Sequence, residues 1–200
     1  MPEVVPTRSA YLELQDERRS MQEGYRFLDE KRLILAGELL TELQAYEALR
    51  RTFDDLYRQA VAALREAAGR HGLDGLALYP ALVNETRIQR RSHNVLGIPV
   101  TEAGLEDVRT GAPAAVDPSP EGERCRDLYR QVIERAVPLA ARQANLQRLW
   151  NEYSRTSRRA RALEDVLLPE MQQTLRDIDA ELEEQDREEA VRVRHFTRAS

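Results

Sequence analysis

Apolar side chains recur along the first third of the chain in alternating steps of three and four. The series runs through Leu14, Met21, Tyr25, Leu28, Leu35, Leu39, Tyr46, Leu49, Phe53 and Leu56 to Ala60 and Ala63, broken only by Arg18, Arg32 and Glu42. Such steps lay a narrow stripe along a helix, the geometry of a seam meeting a second helix and not the broad face of a globular-core helix. Sustained over several heptads without proline, the stripe predicts a coiled-coil helix over 7–68, on the order of 90 Å long at 1.5 Å per residue. Thr7 or Ser9 can cap its start. Gly24 and Gly37 inside it each cost about 1 kcal/mol relative to alanine, and Gly69, Gly72 and Gly75 mark its end.

The last third carries a matching stripe, through Leu146, Leu149, Tyr153, Leu163 and Leu167, on a helix expected over 122–196. Pro138 should bend it or mark a junction, and Pro169 should act likewise. Near Pro169 the apolar register slips to Met171, Leu175, Ile178 and Leu182, so the seam should change its twist there. Neither stripe can be buried alone. The terminal helices are therefore expected to fold back on one another as an antiparallel hairpin, with paired residue numbers summing to roughly 190 to 203. That register sets Arg155, Arg158, Arg159 and Arg161 against Glu38, Glu42 and Glu47, and the acidic stretch Asp177 to Glu189 against Arg8, Arg18 and Arg19. Phe53, Leu56, Leu146 and Trp150 would interlock the two helices. A plain helical bundle is the alternative.

Between the stripes, 69–121 differs in kind. Parts of Leu76 to Thr101 alternate with period two, and the turn formers Ser92, His93 and Asn94 lie between the last two runs, which predicts a β-hairpin or small sheet. Pro80 and Pro99 confine those strands to edges or ends. Glu102 to Gly122, with Gly104, Gly111, Pro113, Pro118 and Pro120, reads as a loop with one helical turn. The expected fold is mainly α: a long antiparallel two-helix coiled coil with a small central head of β-hairpin and short helix.

Composition supports this and narrows the chemistry. Charged residues make up 32% and aromatics 6%, a balance suited to long solvated helices. The net charge of -5 weighs against a dedicated nucleic-acid binder. Cys125 is the single cysteine, so no internal disulfide can form. No apolar run approaches the roughly 20 residues of a membrane span, and Met1 to Pro6 lacks a signal-peptide layout. A cytosolic chain is expected, reaching a membrane only through partners. No P-loop is present. His71, His93 and His195 lack metal-like spacing and read as solvent histidines. Acid pairs such as Asp54-Asp55 and Glu183-Glu184 read as solvated faces. A non-enzymatic protein without cofactor or metal is expected.

Several blocks together carry a family resemblance. They are Pro6-Thr7-Arg8 opening the first helix, Gly24 and Leu28 followed by Lys31-Arg32, and Asn94-Val95-Leu96-Gly97 in the middle. Arg158-Arg159 with Ala162-Leu163-Glu164 and Pro169 follows, then a Glu/Arg-rich end around Glu183 to Arg194. In order and spacing the chain resembles the D subunit of the V/A-type (vacuolar-type) ATPases, the central rotor stalk. It departs at Arg161, where asparagine is usual, at Leu33-Ile34, where a charged pair is common, and in a short tail after Phe196.

The resemblance implies a torque-transmitting shaft whose termini enter a ring of alternating catalytic and regulatory subunits. Its middle would face the small F subunit of the stalk and the socket subunit above the membrane ring, so the chain would sit peripherally at the membrane. Within that reading Arg8, Arg18, Arg26, Lys31, Arg32, Arg155, Arg158, Arg159 and Arg161 contact the hexamer, and Asn94, Val95, Leu96 and Gly97 dock a stalk partner. By themselves the arginines read as a solvated face making i,i+4 pairs worth a few tenths of a kcal/mol each. The other functional readings are a cytosolic coiled-coil tether or adaptor unrelated to ATPases and, more distantly, a helical nucleic-acid binder.

Overall fold

The computed structural model describes residues 5–79, 85–108 and 114–199. Helix α1 (Arg8–Ala77) is followed by strands β1 (Glu85–Val95) and β2 (Ile98–Val108). Helix α2 (Pro120–Ala162) then leads through a π-helical turn (Leu163–Leu167) into α3 (Leu168–Ala199). The fold is mainly helical, with two long terminal helical segments and an antiparallel hairpin between them in sequence. Two compact units divide the chain: Met1–Leu35 with Glu152–Ser200, and Ala36–Asn151.

In the first unit, α1 and α3 run antiparallel. Leu14 packs against Met171, Leu175 and Ile178, with Tyr11, Met21 and Leu182 at the margin. Thr7 caps α1, its Oγ1 accepting the Ala10 N–H at 3.2 Å, a bond worth about 1 kcal/mol. Approaching α3, the Leu168 N–H donates to the Leu163 carbonyl five residues back. This π turn absorbs one extra residue next to Pro169, whose own nitrogen has no hydrogen to donate. The apolar register therefore changes at this turn, which brings Met171, Leu175 and Ile178 onto the side facing Leu14.

In the second unit, Ala63 and Ala67 of α1 pack against Cys125 of α2, and Leu76, Leu128 and Tyr129 border them. Side chains this small let the two backbones approach closely. Helix α1 continues beyond the expected end at Ala68 to Ala77, interrupted at Gly72, where φ is 69° and ψ 169°. Only this one of the three glycines takes a conformation that a side chain would resist. Ser119 caps α2, its Oγ accepting the Gly122 N–H at 3.0 Å, and Pro120 fills the first helical position, which has no use for an N–H. Helix α2 passes through Pro138 without a break, losing only the bond that residue would have donated to the Glu134 carbonyl.

The hairpin departs from expectation in two places. Its turn is Leu96-Gly97, both with positive φ (49° and 84°), between the paired residues Val95 and Ile98. Two-residue loops favour this left-handed pair because its twist matches that of the strands. Ser92, His93 and Asn94 lie inside β1 opposite Thr101, Val100 and Pro99, so long strand pairing overrides their local turn preference. The segment from Glu102 to Val108, expected as loop, extends β2. Expectations at Pro80, 81–83, Gly111 and Pro113 lie outside the described residues.

Candidate functional site

The basic residues of the terminal unit fall into two groups. Lys31 Nζ donates to Glu152 Oε1 at 2.6 Å, with both side chains about one-fifth exposed. That bond and the Lys31 charge, with Arg155 and Arg159 adding, hold the Glu152 carboxyl below its ordinary value against the opposing effect of burial. Arg32 pairs with Asp29 at 2.6 Å, and Arg8 with Asp186 at 2.7 Å. Arg18 is half-buried, and its Nε meets no acceptor among the described residues. By contrast Arg26, Arg155, Arg158, Arg159 and Arg161 all lie exposed. Arg155 has Glu152 as a neighbour at 3.7 Å.

The helix register can be read from these pairs. Arg8–Asp186 matches the expected offset, whereas Lys31–Glu152 and, in the second unit, Glu42–Arg142 lie outside it by roughly two helical turns or less. Beside the π turn, the Tyr25 hydroxyl hydrogen-bonds Glu164, which with burial and the nearby negative charges keeps the phenol above its ordinary value.

The seam residues show a consistent burial pattern. Leu14, Leu35 and Leu149 are buried, and Met21, Tyr25, Leu28, Leu39, Tyr46, Leu49, Phe53, Leu56, Leu146, Tyr153, Leu163 and Leu167 are half-buried. Trp150, expected among the interlocking residues, is 56% exposed. In α2 the most buried positions are Asn145, Leu149, Thr156 and Ala160, so this stripe admits polar side chains.

Glu42, expected to face the arginine cluster, is instead 5% exposed and bound within the second unit. Arg142 donates to its Oε2 at 2.6 Å and Asn145 to its Oε1 at 2.7 Å. Asn145, fully buried, also accepts from Arg148 at 2.7 Å. In the hairpin, Ile98 and Val100 are buried, while Asn94, Leu96 and Gly97 at the tip are exposed and Val95 is half-buried. Between hairpin and α2 lies a cavity of about 320 Å³, lined by Ile88, Arg90, Ala103, Val137, Ala141 and Arg148 among others.

His71 corrects another expectation. Its side chain is 7% exposed, far from a solvent histidine. Its Nε2 lies 2.6 Å from Ser119 Oγ, the ring meets Tyr79 edge-on at 5.8 Å, and Nδ1 is 3.7 Å from Asp117. Tyr79 in turn accepts the Ser119 N–H and donates to Glu123. The cluster ties the end of α1 to the cap of α2. His93 and His195 are exposed. Sequence reasoning missed His71 because its partners come from a segment that periodicity left as loop. Asn145 offered a faint signal, standing four residues before Leu149 on the buried side.

Among the described residues no helix is long and apolar enough to cross a membrane, and no group of three His, Cys, Asp or Glu could hold a metal ion. The predicted hexamer contacts are charged side chains carried on helices.

Comparison with known proteins gives the family. The family model for the ATP synthase D subunit matches residues 10–198. The D subunit of the A-type ATP synthase of Thermococcus sibiricus is 31% identical over 198 residues, covering 96% of this chain and 92% of that protein. The D subunit of the V-type ATP synthase of Anaeromyxobacter sp. strain Fw109-5 is 32% identical, covering 95% and 91%. The A-type counterpart in Pyrococcus furiosus is 29% identical, covering 98% and 95%. With the match running nearly end to end and the relatives of similar length, the chain belongs to the family of ATP synthase D subunits.

Proposed function

We propose that this chain is the central-stalk rotor subunit of a V/A-type rotary ATPase, transmitting torque between a catalytic hexamer and a membrane ion-translocating ring. The observation that carries this reading is the family match from 10 to 198, and the antiparallel helix pairing within each unit supports it. In this role the chain does no bond chemistry. It binds catalytic and regulatory subunits at the hexamer, the small F subunit of the stalk and a socket subunit, and lies peripherally at the membrane through them.

A rotor inside a pseudo-threefold ring cannot match every subunit equally. Its asymmetric face must favour one subunit conformation, and a differential of a few kcal/mol reverses a two-state population. Exposed guanidinium groups suit the task, because contacts of this kind form and break without deep burial. Arg155, Arg158, Arg159 and Arg161, with Arg26, are exposed, and in this reading they meet the hexamer. Lys31 also ties α1 to α2 through Glu152, and with Arg18 and Arg32 it is assigned to the same contact. The tip Asn94 to Gly97 docks a stalk partner.

The test is reconstitution of the complex with all four second-helix arginines changed to glutamine. ATP hydrolysis continuing while ion transport falls, or weakened assembly, is the expected result. Unchanged coupling removes these residues from the mechanism. Recovery of the chain as a homodimer, with no hexameric ATPase attached, would instead favour the tether reading.

A further inference from the structure

Among the described residues strand β2 has a strand neighbour on one side only. In a hairpin closed by a two-residue turn, the flanking pair exchanges backbone hydrogen bonds and the pairs alternate from there. Val95 and Ile98 are that flanking pair, so Asn94 with Pro99 and Ser92 with Thr101 stand opposite without exchanging backbone bonds. Pro99, with no N–H to give, fits such a place. The Ser92 and Thr101 hydroxyls lie 3.2 Å apart, as the closer approach of such a pair allows. The N–H and C=O of Thr101 therefore point away from β1, where a sheet edge would leave them unpaired.

Asn145 of α2 takes both. Its Oδ1 accepts the Thr101 N–H at 2.9 Å, and its Nδ2 donates to the Thr101 carbonyl at 2.9 Å. A carboxamide offers the same donor and acceptor as a peptide unit, so one side chain stands where a third strand would lie. Its remaining capacity goes to the helices: Nδ2 to Glu42 of α1 and Oδ1 to Arg148. Arg142, bound to Glu42, also lies 3.8 Å from Glu102 of β2.

We propose that Asn145 is the positioning residue that locks the hairpin to α1 and α2, so that the hairpin travels with them as a rigid arm and does not swing about its two connections. The inference goes beyond the rotor reading and stands without it. A leucine of similar size would fill the same space yet leave both Thr101 groups and one Glu42 oxygen without their partner. Buried polar groups of this kind commonly fix geometry more than they raise stability.

The test uses the full chain with Cys125→Ala and spin labels at Arg91→Cys on β1 and Gln147→Cys on α2, both exposed positions. Interlabel distance distributions are compared among the parent, Asn145→Leu and Thr101→Pro. Thr101→Pro removes the N–H that Asn145 accepts and spares every backbone bond between the strands; the Ser92–Thr101 hydroxyl contact that it also removes is controlled by Thr101→Val, which should keep the parental distribution. Asn145→Leu and Thr101→Pro should keep parental helix content and widen the distribution about twofold or more. The Thr101 amide in Asn145→Leu should exchange its hydrogen roughly tenfold faster, with amides around Leu149 unchanged. A distribution as narrow in Thr101→Pro as in the parent overturns the proposal, whether or not Asn145→Leu folds.

Discussion

Replacing Met171 by alanine probes whether the terminal helices are joined as described. Met171 is 0% exposed and sits among Leu14, Leu175 and Ile178. Truncation removes three heavy atoms from a site closed on every side, and buried Met→Ala changes cost about 2 to 5 kcal/mol. The lower half of that range applies here, about 2 to 3 kcal/mol, because a two-helix contact can relax more easily than a multilayered core. For a chain of this size each kcal/mol moves the melting temperature by about 2 to 4 °C, so a fall of roughly 4 to 12 °C is expected. The assay is thermal unfolding followed by circular dichroism, with Leu12→Ala as control, since Leu12 lies on the same unit but is 60% exposed. A Met171→Ala variant that melts with the control would mean that α3 does not pack on α1 at this level.

Two further outcomes follow from local geometry. Glu152 is held below its ordinary carboxyl value, near 4.5, chiefly by Lys31; a group depressed in the folded state stabilises above its unfolded value and loses that stabilisation as pH falls through the folded one. The stability difference between parent and Glu152→Gln, about 1 kcal/mol or less for such a partly exposed pair, should therefore hold at pH 7 and shrink on acidification below about 4.5, as denaturant titrations at several pH values would reveal; a gap that grows in acid contradicts the pairing. In Gly122→Ala the new Cβ would lie 2.8 Å from the Tyr79 ring, so a loss of about 1 to 3 kcal/mol is expected, whereas the same change made in a Tyr79→Ala background should cost little; equal stability of Gly122→Ala and parent refutes that close approach.

Much of the helical architecture was legible because a seam writes itself in steps of three and four. Leu14 to Leu56 could be read without knowing what lay opposite, since burial on one side of a helix is a local property of spacing. The same holds for the slip near Pro169, although spacing alone could not say that a π turn would absorb it. The hairpin turn was misplaced because Ser92-His93-Asn94 has the stronger local turn chemistry. Leu96-Gly97 prevails only once eleven residues on each side pair, and pairing is not a local quantity. His71, Glu42 and Asn145 were missed for a related reason. A buried polar residue is identified by the partner that satisfies it, and those partners lie 48, 100 and 44 positions away in sequence. The exposed arginines are the opposite case: their positions were plain, but charge on a solvated helix does not announce what it meets.

If the chain turns as the proposed rotor, the five residues Leu163–Leu167 have a mechanical consequence. A rod under twist deforms where its restoring bonds are sparsest. Here a widened turn borders a proline that donates nothing to the ladder, so angular strain should gather in this short stretch more than at Pro138, where one bond is lost without any change of turn. Whatever elastic energy α2 and α3 can store between successive loads would then reside in a spring one turn long, wound at a point set by Pro169.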